Sequence, residues 1–158
     1  MNDSNREQLI VAARLLRPLL ADLVFVGGSV TGLLITDDAA ASPRPTYDVD
    51  AIAEITSYAE YATFGDRLRS LGFLEDCREG APLCRWVHQQ TTLDLMPLDE
   101  KILGFSNCWY RAAMATSVTT QLTDDLEIRV VTPNQIVVQV DIKCAGHRRI
   151  LPAWPPAA

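Results

Sequence analysis

The sequence has 158 residues, 48% of them hydrophobic and 22% charged, and a formal net charge of −6. Its length suits one domain, and its apolar content excludes a chain that is disordered throughout. The acidic balance argues against a protein that holds DNA by counterion release alone, and no apolar run reaches the ~18–20 residues of a membrane span. No cysteine pair has CxxC spacing and the start, MNDSNREQ, lacks signal-peptide features. We therefore expect a cytoplasmic protein with free thiols.

The first third of the chain alternates between helical and extended patterns. Apolar residues recur at helical spacing over residues 9–20, and Pro18 is expected to end that helix. The wholly apolar run 23–26 stops at two glycines, which predicts a buried strand. A short helix over residues 29–36 follows directly, and the Pro- and Ala-rich stretch 37–46 predicts a loop.

Further elements follow in the middle of the chain. Residues 47–55 alternate between polar and apolar side chains, as in a half-buried strand, and residues 57–71 predict a helix that ends at Gly72. Residues 84–96 predict a hairpin that turns at Gln89-Gln90. This order indicates an α/β (α+β) fold in which helices flank a mixed β-sheet.

Two more strands are predicted over residues 126–131 and 136–142, and the proline-rich tail after them is expected to be loose. We therefore assign residues 1–133 to the domain itself and residues 134–158 to an atypical C-terminal strand and tail.

The segment Gly27-Gly28-Ser29 is the first candidate for chemistry. It lies where a predicted strand ends and a helix begins, so its backbone amides and the helix dipole would face a bound anion. A triphosphate fits this description, with the Ser29 hydroxyl as an additional donor. Two glycines after a strand are also compatible with a plain turn.

The second candidate is the acidic pair Asp48 and Asp50. Residues two apart on a strand point to the same face, roughly 6–7 Å apart along the backbone. Their carboxylates are hard oxygen ligands of the kind that Mg²⁺ prefers, and a cation would relieve the repulsion between them. A solvated strand face is the alternative interpretation.

Asp94 is the third candidate, because it is a single acid between apolar residues in the segment TTLDLM. Burying an unpaired carboxylate is costly, and a metal shared with Asp48 and Asp50 would remove that cost if the strands are neighbours. Taken together, the three pieces describe a polymerase-type site in which two metal ions about 3.5–4 Å apart bridge the acids and a nucleoside triphosphate.

This pattern resembles the nucleotidyltransferase fold of the DNA polymerase β superfamily. The stretches VFVGGSVTGLLITD, RPTYDVDAI and LDLMPLDEKILGFSNCWY resemble the AbiEii/AbiGii toxin family within it. The resemblance implies a nucleotidyltransferase that acts as the toxin of a type IV toxin–antitoxin pair, with RNA or tRNA as acceptor and a cognate antitoxin as partner. It also implies that Gly27, Gly28 and Ser29 bind the triphosphate and that Asp48, Asp50 and Asp94 are catalytic and hold Mg²⁺.

The sequence departs from that family after Thr132-Pro133. The resemblance implies a helix with a lysine and then a further acidic motif, whereas this chain reads NQIVVQVDIKCAGHRRILPAWPPAA. The C-terminal part is therefore expected to be truncated or atypical. Two alternatives to the toxin follow: a catalytically impaired nucleotide-binding remnant, and a small-molecule nucleotidyltransferase that modifies a cationic aminoglycoside.

Overall fold

The computed structural model of the protein describes residues 4–35 and 43–132. In chain order the elements are α1 (Ser4–Leu15), a 3-10 helix (Arg17–Asp22), β1 (Leu23–Val26), α2 (Gly28–Leu34), β2 (Val49–Ala53), α3 (Tyr58–Ser70), β3 (Leu74–Glu75), β4 (Arg85–His88), β5 (Thr91–Met96), α4 (Glu100–Leu103), α5 (Tyr110–Ala115), β6 (Val118–Thr123) and β7 (Leu126–Val130).

The strands form one seven-stranded mixed sheet in the order β3-β4-β5-β2-β1-β7-β6. Strand β2 pairs parallel with β5 and antiparallel with β1, and β1 pairs parallel with β7. The α/β fold predicted from the sequence, a mixed sheet flanked by helices, is therefore confirmed.

The first helix ends where the sequence predicts it. Helix α1 stops at Leu15, and Pro18 lies in the first turn of the following 3-10 helix, because proline cannot donate the backbone bond that a continuing α-helix needs. One face of α1 is buried in the core through Leu9, Ala12 and Ala13. All four residues of β1 are buried, as expected for a wholly apolar strand inside a sheet.

Strand β2 differs from its prediction. The alternating pattern of residues 47–55 predicts a half-buried strand, but all five residues of β2 are buried. Strand β2 is the fourth of the seven strands, paired with β1 and β5, and helices α1 and α2 contact it. The polar residue in the pattern, Asp50, therefore marks a buried acidic site and not a face exposed to water.

The hairpin is confirmed: β4 and β5 pair antiparallel, and the turn lies at Gln89-Gln90, where Gln89 has a positive φ of 53°. Helix α3 starts after the capping residue Ser57 and is followed by Gly72, whose φ is +87°. Edge strand β6 was not predicted, because its sequence VTTQLT is largely exposed and lacks an apolar period.

Three predictions lie at or beyond the C-terminal edge of the described residues. The predicted strand 136–142, the tail and the boundary at residue 133 lie outside or at the edge of the described residues, so they stay predictions. Within the described residues, no helix combines the length and the apolar character needed to cross a membrane.

Candidate metal centre

A row of charged residues crosses three adjacent strands. The register pairs Asp50 of β2 with Asp94 of β5, and Asp94 with Arg85 of β4. Asp48 immediately precedes β2 and lies two residues before Asp50. The parallel pairing of β2 with β5 is what brings two acids that are 44 positions apart in sequence to the same point of the sheet.

The three aspartates form one cluster. One carboxylate oxygen from each of Asp48, Asp50 and Asp94 lies within 4.8 Å of the other two. Asp50 and Asp94 are only 4% and 2% exposed, whereas Asp48 is half-buried. The structure thus brings together the three acids that the sequence predicts as neighbours.

The donor set fits Mg²⁺. Divalent Mg²⁺ and Ca²⁺ take oxygen ligands at about 2.0–2.6 Å, which places ligands on opposite sides of one ion about 4–5 Å apart. The spacing of the three carboxylates suits such an ion. If bound there by Asp48, Asp50 and Asp94, the ion would neutralise their charge and polarise phosphate oxygens.

Arg85 contacts this cluster and is not among the site residues predicted from the sequence. Its Nε donates to Asp94 Oδ1 at 2.8 Å, and its Nη2 donates to Asp94 Oδ2 and to Asp48 Oδ2, both at 2.9 Å. The hydrogen bonds to Asp94, strengthened by the charges of both acids, raise the pKa of the Arg85 guanidinium. A two-residue turn at Gln89-Gln90 places Arg85 opposite Asp94, so the predicted hairpin already implied that these two residues are paired.

Gly27 lies against Asp50 of the acidic cluster, and Gly28 lies against Thr46. Gly27 is the residue before α2 and has a φ of +75°, and a Cβ atom there would lie 2.3 Å from Asp50 Oδ2. A Cβ atom on Gly28 would lie 2.4 Å from Thr46 Cγ2. Both glycines are therefore needed for close approach of the backbone to neighbouring groups.

Ser29 is in the first turn of α2 and is 2% exposed. Its hydroxyl donates to the carbonyl of Val26 at 3.4 Å, a long hydrogen bond. The structure thus places Ser29 beside the glycine pair, with its hydroxyl turned back towards the end of β1. Its role as a triphosphate donor stays a prediction.

The buried Asn5 connects α1 to the segment that precedes Asp48. It is not among the residues predicted from the sequence. Asn5 is 2% exposed, its Nδ2 donates to the carbonyl of Arg44, and its Oδ1 accepts from the amide of Thr46, both at 2.9 Å. These bonds hold the backbone of Arg44 and Thr46, which leads to Asp48. Thr46 is also the residue that lies against Gly28. No signal in the local sequence of α1 identifies Asn5, because its partners are 39 and 41 positions away.

Comparison with known proteins supports the fold. No protein-family model matches the sequence, and no curated protein matches it. The structure is similar to that of an antigenic nucleotidyltransferase-like protein from Paracoccidioides brasiliensis, with a TM-score of 0.57, 21% identity and coverage of 86% of this chain. The chain spans 64% of the length of that structure. Since fold and activity are separate properties, this similarity establishes that the chain has a nucleotidyltransferase-like fold.

Proposed function

We propose that this protein is an Mg²⁺-dependent nucleotidyltransferase that moves a nucleoside monophosphate from a nucleoside triphosphate to a hydroxyl group. The observation that carries the proposal is the cluster of Asp48, Asp50 and Asp94, with one oxygen from each within 4.8 Å of the others. Two buried carboxylates and a third beside them repel one another, and Arg85 offsets only one of their three charges, so a divalent cation would stabilise the arrangement. The nucleotidyltransferase-like fold supports the same reaction class.

In the proposed reaction, the oxygen of the acceptor hydroxyl attacks the α-phosphorus of the triphosphate. The bond from that phosphorus to the oxygen bridging the β-phosphate breaks, and pyrophosphate leaves with the electron pair. We assign Asp48, Asp50 and Asp94 to hold magnesium, in the form of two ions, and Asp94 to serve the attacking hydroxyl, as ligand of the nearby ion or as the base that accepts its proton. The backbone of Gly27 and Gly28, with Ser29, would bind the triphosphate next to Asp50.

We further propose RNA, in particular tRNA, as the acceptor, and a role as the cytoplasmic toxin of an AbiE-like type IV pair with a cognate antitoxin. The support is the resemblance of three sequence stretches to the AbiEii/AbiGii family. Among the described residues, the free thiols of Cys77, Cys84 and Cys108 are compatible with a reducing compartment.

The test is transfer of label from α-³²P-labelled nucleoside triphosphates to total RNA in the presence of Mg²⁺. Wild type should label RNA and release pyrophosphate, and Asp50→Asn should lose at least 99% of this activity while keeping its fold. Asp66→Asn is the matched control, because Asp66 is an exposed aspartate on α3. Equal labelling by wild type and Asp50→Asn would refute the proposal.

A second candidate function is a nucleotide-binding remnant without turnover. The observation that favours it is the ion pair of Arg85 with both oxygens of Asp94, which already supplies a cation to the cluster. Calorimetry with ATP and Mg²⁺ distinguishes the two, since a remnant binds nucleotide but releases no pyrophosphate with RNA or with an aminoglycoside as acceptor.

A further inference from the structure

The Arg85 guanidinium occupies the side of the acidic cluster formed by Asp48 and Asp94. It makes two hydrogen bonds to Asp94, one to each oxygen, and a third to Asp48 Oδ2. A fork of this kind fixes the guanidinium in the plane of the carboxylate and is stronger than a single-point ion pair. Both oxygens of Asp94 and one oxygen of Asp48 therefore already accept hydrogen bonds from Arg85, so a metal ion held by Asp94 would meet its guanidinium.

The two cations would have to share the oxygens of Asp94 and Asp48. Three carboxylates and one guanidinium leave the cluster with a net charge of −2 when all four groups are ionised. A divalent cation among the same oxygens would lie next to the guanidinium, and like charges at such short range repel strongly where water is largely excluded. Arg85 leaves the cluster with a charge of −2 and one divalent cation alone would leave it with −1, so the two cations do not compete for charge. They compete for the same oxygens, those of Asp94 and Asp48.

We propose that Arg85 is a built-in counter-cation that competes with the divalent metal for Asp48 and Asp94, so that metal loading displaces its guanidinium from the cluster. This inference rests on the proposed function and adds a gating step to it. In the resting state, Arg85 stabilises the buried acids and weakens metal binding. In the loaded state, the carboxylates hold the metal and Arg85 has left Asp94.

The surroundings of Arg85 allow this movement. Its side chain is 23% exposed, whereas that of Asp94 is 2% exposed. Strand β4 is next to the short edge strand β3, so Arg85 lies toward one side of the sheet and Asp94 lies inside it. A long side chain with a partly exposed head can rotate toward solvent while the buried carboxylates keep their positions.

The direct test is the affinity for Mn²⁺, used as the probe in the absence of nucleotide and measured by calorimetry. Arg85→Met keeps most of the apolar stem and removes the charge, so we expect Mn²⁺ to bind at least about tenfold more tightly than to wild type. The matched control is Arg69→Met, because Arg69 also pairs with two carboxylates, those of Asp66 and Glu75, outside the cluster. Arg69→Met should bind Mn²⁺ like wild type. An affinity of Arg85→Met equal to or below that of wild type overturns the inference.

Two further measurements cover the case in which Arg85→Met does not fold without metal. Arg85→Lys keeps the positive charge but cannot donate two parallel hydrogen bonds to one carboxylate. Its Mn²⁺ affinity should therefore lie between that of wild type and that of a variant without a charge at this position. In wild type, the Arg85 Nε–H resonance in ¹⁵N NMR should shift as diamagnetic Mg²⁺ is added, because its bond to Asp94 Oδ1 breaks. A resonance that stays in place while Mg²⁺ saturates the protein overturns the inference.

The outcomes separate this inference from the proposed function. If Arg85→Met gains Mn²⁺ affinity but wild type labels no RNA and no other acceptor, competition is established and the transferase proposal fails. If wild type labels RNA and Arg85→Met gains no affinity, the transferase proposal stands and competition is wrong. If neither protein binds Mn²⁺ at millimolar concentration, both are wrong.

Discussion

Gly27 and Asp50 are in such close contact that a single added methyl group would not fit between them. A Cβ atom on Gly27 would lie 2.3 Å from Asp50 Oδ2 and 3.1 Å from Asp50 Cγ, and the φ of Gly27 is +75°. The glycine therefore serves two purposes: it adopts a backbone conformation that other residues avoid, and it leaves room for the buried carboxylate.

The first prediction is that Gly27→Ala destabilises the protein by more than the cost of its backbone conformation, because it also displaces Asp50 of the acidic cluster. A positive φ costs a non-glycine residue about 1–2 kcal/mol, and the clash with Asp50 adds to it by displacing the carboxylate. Gly80→Ala is the control, because Gly80 has a φ of +80° and a Cβ there would meet nothing within 4 Å. Urea unfolding should show a larger loss for Gly27→Ala, and Mn²⁺ affinity should fall only in that variant. Equal losses in the two variants would contradict the close-contact interpretation.

The second prediction concerns Gly28 and Thr46. Gly28 does not have a positive φ, so the cost of Gly28→Ala comes from the contact of its Cβ with Thr46 Cγ2, 2.4 Å away. Overpacking of this kind costs about 1–3 kcal/mol. Thr46→Ser removes the Cγ2 atom, so the double variant should recover most of the stability lost by Gly28→Ala. A double-mutant cycle in urea measures this coupling, and strictly additive effects would contradict it.

The three acids of the cluster can be predicted from the sequence because each of them is unusual within its own strand segment. Asp48 and Asp50 stand out through their spacing, and Asp94 stands out because an acid is unusual within an apolar strand. The sequence alone does not single out Arg85, because most arginines in strands are exposed surface cations. Its significance depends on the cross-strand pairing with Asp94, which follows only once the turn is fixed at two residues.

Burial was harder to predict than strand position. The alternation in residues 47–55 indicates a strand with one solvated face, but all five residues of β2 are buried in the structure. The alternation shows which side chains are polar, but the packing of other elements on the sheet decides which of them are buried. Asn5 illustrates the same limit, because its buried role depends on a loop about 40 positions later.

The third prediction is that Asn5 positions the loop that leads into Asp48. Asn5→Ala removes the hydrogen bonds to the carbonyl of Arg44 and from the amide of Thr46, and a lost hydrogen bond costs about 0.5–1.5 kcal/mol. Asn5→Asp keeps the acceptor for Thr46 but places a carboxylate oxygen against the carbonyl of Arg44 and buries a charge, so it should lose at least as much stability as Asn5→Ala. Chemical unfolding gives the stability, and calorimetry with Mn²⁺ should show weaker binding to Asn5→Ala. Unchanged Mn²⁺ affinity in a destabilised Asn5→Ala would limit Asn5 to a purely structural role.

The fourth prediction concerns the reactivity of Cys84, which precedes Arg85 and is 1% exposed. Burial, with a smaller contribution from the charge of Asp94, raises the pKa of this thiol to about 12. Since the thiolate is the reactive form, iodoacetamide at pH 8 should label the exposed Cys77 and Cys108 in the native protein and leave Cys84 unlabelled. Mass spectrometry of the peptides reads out each site, and labelling of Cys84 in urea is the positive control. Native labelling of Cys84 at the rate of Cys77 would contradict its burial.

The same pKa gives the fifth prediction, a dependence of stability on pH. In the unfolded chain the thiol loses its proton near its ordinary pKa of 9, whereas in the fold it keeps the proton up to about pH 12. Between these values the unfolded state binds fewer protons, so the free energy of unfolding falls as pH rises. Urea midpoints at pH 8 and pH 10.5 should therefore decrease more in wild type than in Cys84→Ala, which lacks the titrating group. Equal decreases would show that Cys84 does not contribute, because every other titrating residue is common to the two proteins.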